Sequence, residues 1–446
     1  MTAPLTVGDR RRAALERLHG PPASTRTSTA GSARRSPSSP VDTAPPRRWL
    51  RTSAKHRITP AEARARLGAA RTGRATRTAQ LGPPTGTYYA IAAVVGVFVM
   101  LGLVMVLSAS AVTEANLGHS PYRIFGKQAM WAGLGLVSLV VAARYPYQIW
   151  RKLVIPLGVF GVIAMCLPFA PGLGANVNGA SSWIRIGGFS LQPSEFLKLA
   201  VVVLAADLLA RRVDDVVEAR RAIVPIALLA GVGAGLCLAQ GDLGSAVVLA
   251  AIVLSVAWIA GVPIAHLATV TVGGAAIALL FVVSSPRRLA RFTAFTNVAE
   301  EKDHLAYQIY QGYLSIASGG LTGSGIGGGK GKLGYLPYAQ SDFIFAVIAD
   351  ELGLVGTSAV IGGFLLLVAF GIQTALAAPD RFGMLLAGGI ATWFGVQAIV
   401  NLGGVVGRLP VTGLTLPFFS AGGSSLFVSM TAAGLLLSVA RRVVRS

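Results

Sequence analysis

The chain has 446 residues, 53% of them hydrophobic and only 13% charged, with 54 glycines and a formal charge of +21. That balance excludes an ordinary soluble domain and fits a bundle of membrane helices. Nor is the charge a nucleic-acid signature: residues 1–85 hold 17 Lys/Arg against four acidic residues, without aromatic interleaving or a recognisable binding fold.

That first segment is rich in Ser, Thr, Pro, Ala and Arg and lacks apolar periodicity. It cannot bury enough surface to offset its ordering entropy, so 1–85 reads as a disordered basic tail held in the cytoplasm beside anionic lipid. No cleavable signal peptide is visible, because the first apolar run begins near Tyr88 and is too long for one. Cys166 and Cys237 lie inside apolar runs and indicate neither a disulfide nor a metal cluster.

From residue 86 onward the sequence predicts an all-α polytopic membrane domain, 86–446, since a span needs about 20 apolar residues. Ten stretches qualify: 88–108, 125–143, 153–170, 196–210, 222–239, 244–260, 264–284, 343–370, 385–404 and 418–440. The positive-inside bias places both termini in the cytoplasm. It leaves one long connection, 285–342, outside, despite Arg287, Arg288, Arg291, Lys302, Lys330 and Lys332. Cations on the outer side point to anionic lipid phosphate, for which arginine offers bidentate contacts.

Four polar constellations sit where spans meet the outer face. In "QPSEFLK", 192–198, Pro193 suits a first helical turn, and Glu195 and Lys198 share a face. They read either as an intrahelical pair or as the lining of an outward cavity. "QGDLGS", 240–245, breaks an apolar run, with Gln240 and Asp242 around a turn glycine. The glycine-rich stretch before "YLPYAQSDFIFAVIADELG" allows close backbone approach to a ligand, with Lys330 and Lys332 beside it. It is not a Walker motif, since no strand precedes it. Asp342 stands near the start of the next helix, while Asp350 and Glu351 lie deeper and need partners. "NLGGVVGRLPVTGLTLPFFSAGGSS", 401–425, is too rich in Pro and Gly for a continuous helix and reads as a re-entrant loop.

"QPSEFLK", "YLPYAQSDFIFAVIADELG" and "LPVTGLTLPFFSAGGSS", in this order and spacing, resemble the SEDS family (shape, elongation, division and sporulation; the FtsW/RodA/SpoVE group) from about Tyr88 to Arg441. "LGLVMVLSAS" and the basic tail look more like the division branch, FtsW, than the elongation branch, RodA. The pattern is departed from at Ser182, where the family has a basic residue, and at Gly241, for Pro. Tyr338 stands for Glu, Gln340 for His, and Arg408 for an aliphatic residue.

The resemblance implies a peptidoglycan glycosyltransferase of the bacterial plasma membrane, acting at the division septum on lipid II, an undecaprenyl-pyrophosphate glycolipid. Its implied partners are a class B penicillin-binding transpeptidase and divisome proteins. The acceptor is a hydroxyl, so a carboxylate base is the economical requirement, and an inverting displacement needs no covalent nucleophile. The leaving pyrophosphate calls for Arg or a divalent cation, Mg or Mn; no cofactor is otherwise assigned and no protein metal site is expected. In the family an essential aspartate precedes the Tyr-Gln pair matched by Tyr307 and Gln308. A gap-free count puts it on Glu301, whereas Asp303 keeps the aspartate identity, so these two are the candidate bases. The resemblance adds Trp183, Tyr307, Gln308, Ser420 and Ser424 to the substrate-binding candidates already named. Two rivals remain open: a flippase for lipid II, which broken helices and intramembrane carboxylates also suit, and a scaffold for a cell-wall synthase.

Overall fold

The computed structural model of the chain describes residues 85–177, 180–212, 219–301, 303 and 306–443. The predicted tail, but for Thr85, lies outside the described residues. Twelve α-helices run through them: α1 Gly86–Asn116, α2 Arg123–Arg144, α3 Val154–Cys166, α4 Pro193–Arg211, α5 Ala219–Ala239, α6 Leu243–Ile259, α7 Ile264–Val283, α8 Pro286–Thr296, α9 Tyr307–Gly319, α10 Ile344–Leu376, α11 Arg381–Val405 and α12 Gly423–Ala440. All ten predicted spans coincide with helices. Six (α1, α2, α7, α10, α11 and α12) are long and apolar enough to cross a membrane, and three shorter apolar helices are α3, α5 and α6. The tenth, α4, owes its polarity to Glu195, Lys198, Asp207 and Arg211. The protein is a polytopic helical membrane protein.

Apolar side chains gain little by leaving lipid for a helix interface, so close packing at small residues selects neighbours. Gly434 of α12 lies against Leu139 O and Ala142 of α2, and Gly389 of α11 against Val202 of α4 and Val256 of α6. These contacts put α4, α6, α11 and α12 at the centre, whereas α7 has no buried residue and stands at the periphery. One end of the bundle is basic and tied across helices. There Ser438 Oγ donates to Tyr145 O (2.7 Å), Arg381 donates to Ala260 O (2.7 Å), and the Tyr147 hydroxyl donates to Asp380.

At the opposite end two features break the helical pattern. A small antiparallel sheet, β1 Gly174–Val177, β2 Ala180–Ile186 and β3 Phe189–Leu191, fills the connection before α4. The sequence reading did not anticipate it. Gly187 and Gly188 both adopt positive φ (56° and 82°), the geometry of a two-residue hairpin turn between β2 and β3. The second feature is irregular chain between α11 and α12, buried at Leu414, Leu416, Phe418 and Phe419 as the re-entrant reading expected.

Helix α10 is itself broken at Gly353 (φ 62°, ψ −158°). The freed N–H groups of Leu354 and Val355 donate to Gly320 O and Leu321 O at 2.9 and 3.1 Å, so these two donors stay paired at the break.

Candidate functional site

A cavity of about 710 Å³ opens at the end that carries the sheet. The starts of α2, α4, α6, α9, α10 and α12 converge there, so the positive ends of six helix dipoles face it. On α2 it is lined by Lys127, Gln128 and Trp131, and on β2 by Trp183 and Arg185. These two β2 residues are two apart and therefore share a face of the strand. Lys127 Nζ donates to Gly188 O (2.9 Å) and Trp131 meets Phe189 edge to face, clasping the hairpin tip to α2. The far wall is Tyr307 and Gln308 of α9, with Gln308 Nε2 donating to Pro337 O (3.1 Å).

Two carboxylates line the cavity, Asp242 and Asp342. Asp242 caps α6, accepting from Ser245 N (2.8 Å), Gln192 Nε2 (3.1 Å) and Ser194 Oγ (3.3 Å), which joins α4 to α6. Asp342 precedes α10; burial, opposed by a bond from the Ser341 hydroxyl and aided by nearby Asp242, pushes its carboxyl up to about 6.

Of the site candidates, the structure brings Trp183, Asp242, Tyr307, Gln308 and Asp342 together in the cavity lining and places several others away from it. Glu195 and Lys198 do not face the cavity: they are 1% and 0% exposed and form an ion pair at 2.8 Å. Lys198 Nζ also donates to Gln397 Oε1 of α11. The pair is internal because α11 packs against that face of α4. Gln240 is likewise buried, with Nε2 on Met165 O (2.7 Å). Ser420 and Ser424 lie under the cavity rather than in it. Ser420 accepts from Leu416 N and donates to Ser341 O, and Ser424 accepts from Gln192 N.

The glycine-rich loop folds down onto Asp350 and Glu351 instead of a ligand. Gly323, at φ 79°, sits against the Glu351 carbonyl, where a side chain would collide. Lys332 is 4% exposed and pairs with Glu351 at 2.7 Å, while Glu351 also accepts from Ser108 Oγ and Gly327 N. Lys332 is thus held inside the protein by Glu351, outside the cavity lining. Lys330 is exposed and outside the cavity lining.

Neither candidate base lines the cavity: Glu301 is half-buried and Asp303 exposed, in the loop entering α9. Arg287, Arg288 and Arg291 fall on α8, a short amphipathic helix. Arg288 stacks its guanidinium 3.7 Å from the Phe281 ring centroid, at the end of α7, and is outside the lining. The side chains of Arg287 and Arg291 lie outside what the structure describes.

Sequence reasoning missed Lys127 and Arg185, the two cations in the cavity. Lys127 lies on the first turns of a span and reads as a topogenic charge. Arg185 lies in a strand whose alternation was not recognised; the paired glycines after it were the available signal.

Cations, carboxylates and indole rings surround a cavity at one end of a helical bundle, and fold and site together define an integral membrane protein with a charged, aromatic-lined cavity. Residues 88–444 match the FtsW/RodA/SpoVE family, described as "Cell cycle protein", and the chain belongs to that family. Among its relatives, the probable peptidoglycan glycosyltransferase FtsW of Trichlorobacter lovleyi is 40% identical over 342 residues, 76% of this chain and 89% of that protein. Stage V sporulation protein E of Bacillus subtilis is 36% identical over 76% of this chain and 93% of its own length. Of solved structures, a chain from a peptidoglycan synthase complex that coordinates polymerization and crosslinking superposes with TM-score 0.65 at 31% identity, covering 79% of this chain and 97% of that one. The rod shape determining protein RodA of Thermus thermophilus gives 0.59 at 31% identity, covering 80% and 98%. Four of the five departures from the family pattern, Ser182, Gly241, Tyr338 and Gln340, line the cavity.

Proposed function

We propose that this chain is a peptidoglycan glycosyltransferase that polymerises lipid II during division. The observation that carries the reading is the cavity, whose lining combines Lys127 and Arg185 with Asp242 and Asp342 in a chain 40% identical to a probable peptidoglycan glycosyltransferase. Lys127 and Arg185 bind the pyrophosphate of the carrier lipid, a role that suits charge-assisted donors. Trp131, Trp183 and Tyr307 offer ring faces to the sugars, and Asp342 accepts bonds from their hydroxyls.

In the reaction, the 4-hydroxyl of an acceptor GlcNAc attacks the anomeric carbon of the growing strand. The carbon–oxygen bond to undecaprenyl pyrophosphate breaks, the carrier leaves with the bonding pair, and the hydroxyl proton passes to a carboxylate. Glu301 or Asp303 is the proposed base. Their loop runs straight into Tyr307 and Gln308 of the cavity wall, and Ala306 N donates to Glu301 O (3.1 Å), holding Glu301 within one turn of that wall. Water excluded by the bound lipid would strengthen such a base.

A divalent cation, Mg or Mn, at the leaving pyrophosphate would be held by the substrate's own phosphate oxygens and by one or two carboxylates, for which Asp342 is the cavity side chain at hand. Among the described residues no three His, Cys, Asp or Glu side chains cluster. Of the two cavity carboxylates, Asp242 is already committed to three donors. No step is assigned to a cation.

The basic end of the bundle, with Arg144, Arg151, Lys152, Arg211, Arg441 and Arg442, supports cytoplasmic termini and an outward-facing cavity. Likeness to a synthase complex supports a cross-linking partner, a class B penicillin-binding transpeptidase within the divisome. The broken helix α10 favours one rival, a lipid II flippase. Labelled lipid II in detergent separates the two, because no second compartment exists there. Glycan polymer supports the transferase, and lipid II left unpolymerised, with the transpeptidase supplied, supports the flippase.

A further inference from the structure

Helix α11 carries Trp393, Gln397 and Asn401 at four-residue intervals, hence along one face, and none is more than 5% exposed. Trp393 Nε1 donates to Gln397 Oε1 (2.8 Å), and Gln397 Nε2 donates to Thr415 O (2.8 Å). Asn401 Nδ2 donates to both Asp342 O (2.9 Å) and Leu414 O (2.7 Å). A single amide thus grips the residue before α10 and the irregular floor segment together. Neither Gln397 nor Asn401 lines the main cavity.

A second observation concerns the other atom of that amide. Asn401 Oδ1 is buried and accepts from no donor among the described residues. Asn401 lines, with Asp342 and Thr412, a separate pocket of about 10 Å³, the space of one water molecule. Asp342, with Val411, Thr412 and Gly413, forms the wall shared by this pocket and the main cavity. A buried amide oxygen beside a water-sized polar space is the setting in which a bound water is retained.

We propose that Asn401 is a positioning residue for Asp342, fixing its carbonyl directly and bridging to its carboxyl through one water held in the small pocket. This deepens the reading of the main cavity as the lipid II site and rests on it. Helix α11 then sets the orientation and hydration of a carboxylate that it never exposes to substrate itself. The titratable groups sharing the main cavity with Asp342 are Asp242 of α6, Lys127 of α2, Arg185 of β2, Tyr307 of α9 and the nearby Tyr338. Burial and Asp242 raise the Asp342 carboxyl, and the Ser341 hydroxyl bond lowers it. A change in its hydration from the α11 side therefore moves its titration.

The test is Asn401→Leu, which keeps the branched heavy-atom shape and removes both donors and acceptor. KM and kcat for lipid II polymerisation are measured on the full chain between pH 5 and 8, beside Asp342→Asn and the double variant. The expected result is a KM raised about tenfold with kcat within about twofold, a shifted midpoint in the pH dependence of KM, and a double variant no worse than Asp342→Asn alone. A wild-type KM and midpoint, or losses that add fully to those of Asp342→Asn, would overturn the proposal. Should Asn401→Leu not fold, Asn401→Ser, which retains one donor and one acceptor, is read the same way with a smaller shift. Absence of polymer from the wild-type chain removes the transferase reading itself, whereas an active wild type with an indifferent Asn401 removes only this inference.

Discussion

Lys198 Nζ stands 2.8 Å from Gln397 Oε1 and 2.8 Å from the Glu195 carboxylate, so α4 and α11 are joined by a buried cation that never meets the cavity. Gln397 passes that restraint to Thr415 O on the cavity floor. Removing one partner of a buried pair leaves the other charge uncompensated, typically at 3–5 kcal/mol. Lys198→Met is expected to lower stability by about 3 kcal/mol, within that range, read as a fall in thermal unfolding temperature in detergent. A Glu195→Leu/Lys198→Met double variant recovers much of the loss. If Lys198→Met is as stable as wild type and fails only in lipid II binding, Lys198 contacts substrate after all.

Lys127 and Arg185 are the cations the cavity holds. A hydrogen bond to a charged group contributes about 1.5–3 kcal/mol, so Lys127→Ala and Arg185→Ala should each weaken lipid II binding about tenfold or more. Arg288→Lys, on a side chain stacked against Phe281, should leave binding at the wild-type level. Equilibrium binding of labelled lipid II to the three variants decides this. The opposite ranking would return the pyrophosphate to α8.

Asp342 is the cavity carboxylate whose titration is displaced toward neutral pH. Its carboxyl is raised to about 6, so the ionised form that accepts hydrogen bonds is lost as pH falls through that value. Lipid II affinity should drop between pH 7 and 5, and Asp342→Asn should flatten the curve at the low-pH level. The stability linkage has the opposite sign. The folded state holds this proton more tightly than the unfolded chain, so stability falls as pH rises from the ordinary carboxylate range through about 6.

Gly434 faces Leu139 O and Ala142 of α2 closely enough that an added methyl must move the α2–α12 pair. Gly434→Ala is expected to cost about 1–3 kcal/mol by overpacking, despite alanine's better helix propensity. A thermal stability equal to or above wild type would show that the two helices separate freely.

Ten helices, the re-entrant segment before α12, the cap at Asp242 and the first turn at Pro193 were legible in the sequence, because each depends on local chemistry: apolar run length, Pro and Gly content, or a side chain bonding its own helix. What was not legible is which face of a span meets which neighbour. Helix α4 is apolar nearly all round, so nothing in its own pattern told whether Glu195 and Lys198 face a cavity or α11. Lys332 and Glu351 are 19 residues apart, and their pairing is set by the break at Gly353. The acceptors of Gln397 and Asn401 are backbone carbonyls, which leave no mark in a sequence.

Glycan polymerisation in this cavity, with a loop carboxylate as base, is tested by one assay. Its most direct measurement is the product ladder formed from labelled lipid II by the purified chain, its transpeptidase partner supplied, and by its Glu301→Gln and Asp303→Asn variants. Both substitutions nearly preserve shape while removing charge. The expected result is a ladder from the wild type and its loss in one of the two variants, with lipid II binding retained. A full ladder from both variants would place the base elsewhere, and no ladder from the wild type would contradict the assignment of the reaction.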